Sequence, residues 1–156
     1  MADQLTFSKD FWSSTYEVKD GSQVLVRTEK NSIWSYDSDV KIGDKNYFFD
    51  VKGIFSDSIE VFEKPAHNLI ATVDMSNWRN KATIQLDEKV PFIFEKTDFF
   101  SSEWKIFKEN EVLFHFKKDW FANEGTVDVF DNDTTLLAIG IFLISLFRQK
   151  AAAAAA

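Results

Sequence analysis

The sequence predicts a mainly β fold: a closed antiparallel barrel of about twelve strands enclosing a carboxy-terminal apolar helix. Three observations lead there. Short alternating segments recur with turn signals between them from Tyr16 to Phe130. No helical period precedes Asp131. The stretch Thr134–Phe147 carries no charge, and its apolar residues point to every side of a helical wheel. A helix that is apolar all round must be surrounded by protein or by lipid. Fourteen residues span roughly 21 Å, short of the ~30 Å of a bilayer core, so protein is the expected surround.

After a lead containing Leu5, Phe7, Phe11 and Trp12, Tyr16–Lys19 alternates apolar and charged. Asp20-Gly21 then signals a hairpin into Gln23–Arg27. Further strands are expected at Ser32–Tyr36, Asn46–Val51, Ser58–Glu63, Leu69–Asp74 and Asn80–Leu86. Pro91 opens Phe92–Glu95, as proline can at a strand's first residue. Glu103–Lys108 and Val112–Lys117 form a hairpin, and Gly125–Phe130 is the last strand. That makes about eleven strands, or twelve if the lead adds one. A barrel of this size is too wide for its wall side chains to fill, and the helix, about 134–149, is the expected plug. Leu137, Ile141, Ile144 and Phe147 are its expected core contacts. Asp133 or Thr134 suits its amino-terminal cap, and Arg148 and Lys150 the negative end of its dipole. Gly140, costly in a helix by about 1 kcal/mol, implies a close approach to the wall. Residues 1–150 make one domain, and the alanines at 151–156 carry no side-chain information for the fold.

Composition narrows function. Cysteine is absent, which removes disulfides, zinc thiolates and thiol nucleophiles and suits a reducing compartment. A net charge of −7 without a basic tract argues against nucleic acid. The amino terminus has no apolar run fit for a signal peptide, so a cytoplasmic protein is expected, peripheral at membranes if bound to them at all. No nucleophile, phosphate-loop or zinc-helix motif occurs, and no cofactor, catalytic residue or enzymatic activity is expected. Asp131 and Asp133 offer two oxygens to a hard cation, but a calcium loop beginning at Asp131 would have Leu136 and Phe142 where it needs glycine and glutamate. Helix capping is the stronger expectation. His67 and His115 lack the partners a zinc site needs. Adjacent aromatics in a strand face opposite ways, so Phe48-Phe49 should place one ring outside. Phe99, Phe100, Trp120 and Phe121 flank loops, where they would suit contact with lipid or a protein partner.

The segments YEVKDG, SIEVFE, LIATVD, EWKIFK and TLLAIGIFLISLF, in this order, resemble the tubby-like superfamily over about Tyr16–Lys150. That group takes in tubby carboxy-terminal domains, phospholipid scramblases and LURP-one-related proteins, whose size this chain matches best. The resemblance implies a non-enzymatic binding or scaffolding module, expected as a monomer. Tubby domains bind phosphoinositide head groups through a basic pocket, scramblases are associated with membranes and calcium, and many LURP-one-like members have no assigned activity. The chain departs from the scramblases in lacking their cysteine cluster and proline-rich flank. No basic pocket can be matched residue by residue, so no lipid-binding residue is carried over. The alternatives are an apolar-ligand carrier, whose lumen would have to be empty, and a tail-anchored protein, whose last helix would leave the barrel.

Overall fold

A computed structural model describes residues 3–10, 13–32, 34–53, 58–75, 81–87, 90–97, 103–118 and 123–155. Among them are twelve strands: β1 (Gln4–Lys9), β2 (Tyr16–Asp20), β3 (Gln23–Lys30), β4 (Ser38–Ile42), β5 (Lys45–Lys52), β6 (Ser58–Glu63), β7 (Asn68–Asp74), β8 (Lys81–Gln85), β9 (Phe92–Lys96), β10 (Glu103–Lys108), β11 (Glu111–Lys118) and β12 (Glu124–Val129). One helix follows, α1 (Thr134–Ala155). Each strand pairs antiparallel with its sequence neighbours, and β1 pairs with β12 to close the barrel. Closure leaves no unpaired edge for another chain to extend.

The lead does supply a strand. Its inward residues Leu5 and Phe7 are buried and face Val127 and Gly125 across the closing pair. The expected strand at Ser32–Tyr36 is absent: β3 runs on to Lys30, and the next strand is Ser38–Ile42. Serine hydroxyls explain the difference by offering the backbone a local alternative to a ladder. Ser32 Oγ accepts from the Trp34 amide at 3.1 Å and Ser35 Oγ from the Asp37 amide at 3.1 Å. The Asn31 amide then donates to the Asp37 carbonyl at 2.9 Å, closing the turn. The last strand stops at Val129, leaving Phe130 exposed.

The helix fills the lumen. Leu136, Leu137, Ile139, Ile141 and Leu143 have no exposed surface, and Ile144 and Leu146 have 1%. They meet inward residues from around the wall, among them Val26, Phe49, Ile84, Phe94, Ile106 and Phe114. Phe142 packs edge-on against Phe49, with ring centres 4.9 Å apart. At Gly140 wall and helix approach closely. A Cβ there would lie 2.5 Å from Phe116 Cζ and 3.0 Å from Ile106 Cδ1, so only glycine fits without displacing the core. No helix among the described residues is long and apolar enough to cross a membrane.

Candidate functional site: the barrel mouth

The two ends of the barrel are chemically different. At the base, where β12 gives way to α1, the hairpins are tight, with Gly21 and Gly43 in left-handed turns at φ 61°. Asp133 caps the helix there: its Oδ1 accepts from the amides of Thr135 at 3.0 Å and Leu136 at 3.1 Å. Those bonds satisfy donors that the first turn leaves without partners. Asp133 thus serves the helix, and among the described residues no three His, Asp or Glu come together as a metal site.

At the mouth, where α1 reaches Arg148, the inward positions become cationic. Alternation along each strand decides this. Lys9 follows Leu5 and Phe7, Lys96 follows Phe94, and Lys118 follows Phe114 and Phe116, each two residues past a buried aromatic. Lys30 continues the inward series of Val26 and Thr28 on β3. All four lysines are half-buried. From the helix, Arg148 Nη1 donates to the hydroxyl oxygen of buried Tyr16 at 2.8 Å. Lys96 lies 5.6 Å from the centre of the Trp104 ring and Lys30 5.1 Å from that of Tyr36. Phe94, Trp104 and Phe147 form a stack beneath, with Trp104–Phe147 centres 5.4 Å apart. Phe147 is therefore half-buried at the mouth, in contrast to the enclosed Leu137, Ile141 and Ile144.

Electrostatics register this gathering. Burial, followed by the charges of Arg148 and then Lys9, pulls the Lys118 ammonium down to about 8. Burial pushes the Tyr16 hydroxyl up, with Arg148 acting against it. On the outer wall cations meet carboxylates: Arg27 with Glu29 at 2.7 Å, Lys52 with Asp50 at 2.9 Å, Lys117 with Asp128 at 2.9 Å. His115 likewise faces Glu103 at 3.0 Å, and His67 stacks on Phe62 at 4.0 Å between ring centres.

Of the aromatic pairs, Phe49 is enclosed while Phe48 faces outward, half-buried, with Lys64 5.6 Å from its ring centre. Phe99, Phe100, Trp120 and Phe121 lie outside the described residues. The strands that flank them place the ends of both connections at the mouth. Sequence reasoning assigned Arg148 and Lys150 to the negative end of a helix ending near 149, but the helix runs to Ala155 with no basic residue in its last turn, and Lys9, Lys96 and Lys118 were not read as a group. The available signal was phase: each of these lysines keeps the inward register of its strand.

No protein-family model matches the chain, and no curated protein does. Among solved structures, the X-ray structure of a protein from Arabidopsis thaliana, AT5G01750, is similar over 93% of this chain and 91% of that one, with 11% identity and a TM-score of 0.67. That likeness shows the fold alone, over nearly the full length of both chains.

Proposed function

We propose that the chain is a non-enzymatic binding module of the tubby-like type that docks the mouth of its barrel on an anionic membrane surface. The observation that carries this is the convergence of Lys9, Lys96, Lys118 and Arg148 at one end of a protein whose net charge is −7. A dispersed −7 repels an anionic surface, so binding requires the positive charge to be local and oriented. A lysine or arginine near such a surface contributes about 1 kcal/mol.

Sequence at the mouth agrees. Six connections start and finish there, and each contains a Phe, Trp or Tyr in its sequence; Phe11, Trp34, Phe55, Trp78, Phe99 and Trp120 represent the six. The five hairpin connections at the base contain none. Trp34, the one of those six within the described residues, is 90% exposed. Aromatic and cationic residues are the types enriched at a membrane–water boundary. A filled lumen speaks against a carried apolar ligand, and a helix enclosed by strands against a tail anchor. The reading makes the protein a cytoplasmic monomer, peripheral at the membrane.

Sedimentation with phosphatidylcholine vesicles, plain or carrying phosphatidylserine or a phosphoinositide, tests the proposal. Binding should need the anionic lipid and weaken steeply between ~0.01 and ~0.1 M salt, as the screening length falls from about 30 to 10 Å. If neither anionic vesicle carries the protein down at low salt, the membrane reading falls and a protein-only scaffold replaces it.

A further inference from the structure

Trp34 occupies a position that the barrel itself does not need. Among the described residues it is the most exposed large apolar side chain, at 90%, against 65% for Phe130 at the opposite end. It lies in the connection from β3 to β4, and so at the mouth. The turn that carries it is tied down on both sides of the ring. Ser32 Oγ accepts from the amide of Trp34 itself, and Ser35 Oγ from that of Asp37, both at 3.1 Å. Asp37 is fixed twice more: its carbonyl accepts from the Asn31 amide at 2.9 Å, and its Oδ1 from the Val51 amide on β5 at 2.7 Å. That last bond holds the one carboxylate of residues 31–37 against the wall. Lys30, where the turn begins, lies 5.1 Å from the centre of the Tyr36 ring. An indole left in water adds nothing to the core, and a turn fixed in advance presents it with little further ordering when it meets a partner. An amide carried to the dry side of a boundary needs an acceptor within the protein, and the two serines supply one to Trp34 and one to Asp37.

We infer that Trp34 is the wedge with which the mouth enters a lipid bilayer, its indole sinking among the head groups with Lys30 and Tyr36 beside it at the depth of the phosphates. Tryptophan is suited to that depth, since its ring body is apolar and its N–H can stay wet. The inference rests on the membrane reading and adds to it an apolar part of binding. Rim cations draw the protein to an anionic surface, and the indole acts once contact is made. Salt screens the first step and leaves the second untouched.

Trp34→Ala and Trp34→Phe are compared with the unaltered full chain in sedimentation with phosphatidylcholine vesicles carrying phosphatidylserine, at ~0.01 and ~0.1 M salt. With the ring so exposed, neither change should move the thermal melt, so a loss of binding is not a loss of fold. Trp34→Ala should weaken vesicle binding about tenfold, and by the same factor at both salt concentrations, because burial of an indole is not screened. Trp34→Phe serves a second measurement, since the tryptophan emission it removes is that of Trp34. On vesicles with brominated acyl chains that emission should shift to the blue and be quenched. If the unaltered protein sediments while Trp34→Ala sediments equally well, or if the Trp34 emission escapes quenching, the inference is overturned and the membrane reading stands on its cations. If the unaltered protein fails to sediment with the anionic vesicles at low salt, the membrane reading itself falls and this inference falls with it.

Discussion

Two inward-facing tyrosines, one at each end of the barrel, experience opposite surroundings. Tyr47, on β5 near the base, is pushed up by burial and further by the carboxylates of Glu63 and Asp133. Tyr16, on β2 at the mouth, is pushed up by burial but pulled back by Arg148. The helix dipole accounts for the base alone, because a carboxylate suits its amino-terminal end, whereas the helix runs on past Arg148 to Ala155 with no basic residue in its last turn. At the base that is enough: Asp133 makes two hydrogen bonds to first-turn amides, and its charge has a structural task. At the mouth Arg148 bonds Tyr16, strand lysines add further positive charge around it, and like charges brought together repel. Charge at the base is thus read as structure, and charge at the mouth, under the proposed function, as a surface for an anion.

Substitutions sharpen the contrast, beginning where the largest effect is expected. Ile141 lies between the ends with no exposed surface, so Ile141→Lys buries an ammonium with no partner. That costs several kcal/mol even after relaxation, comparable to the stability of a whole domain, and insoluble or unfolded protein is expected on expression. Gly140→Ala comes next. Its gain of about 1 kcal/mol in helix propensity is outweighed by the overlap with Phe116 and Ile106, for a net loss of about 1–3 kcal/mol in a denaturant melt. An unchanged midpoint would mean that the wall yields at this contact.

At the base, Asp133→Ala should cost about 1 kcal/mol, the usual value of a helix cap, with no effect on vesicle binding. The smallest effect belongs to the mouth. Lys118 is lowered in the folded state, so the unfolded chain binds the extra proton between about 8 and the ordinary lysine value. Stability contributed by this group therefore rises with pH across that window. Lys118→Gln should raise the melting temperature slightly at pH 7, and the difference from the unaltered protein should shrink as pH approaches 10. A variant less stable at pH 7 would show that Lys118 has a structural partnership stronger than its repulsions.

Much of the fold was legible because it follows from period and punctuation. The all-apolar helix, its cap at Asp133, the close approach at Gly140 and most strands follow from residues adjacent in sequence. Ser32–Tyr36 misled because its aromatic content favours a strand while its serines hydrogen-bond locally, and Ser38–Ile42 escaped notice among polar neighbours. The cationic mouth was not legible in the same way. Lys9, Lys96, Lys118 and Arg148 come from three strands and the helix, and only barrel closure, with β1 beside β12, brings Lys9 near Lys118 and Arg148. A composition of −7 without a basic tract hides such a site, because the tract is assembled in space.

The difference between the ends is tested most directly by one double variant measured twice. Lys9→Gln with Lys118→Gln removes two cations from the mouth and leaves the Arg148–Tyr16 bond in place. Its thermal melt and its sedimentation with phosphatidylserine vesicles at low salt are compared with those of the unaltered protein. The account predicts a melting temperature equal or slightly higher and binding reduced at least about tenfold, the loss of some 1 kcal/mol per cation. A lowered melting temperature with vesicle binding intact would contradict it, placing these lysines with Asp133 as supports of the fold.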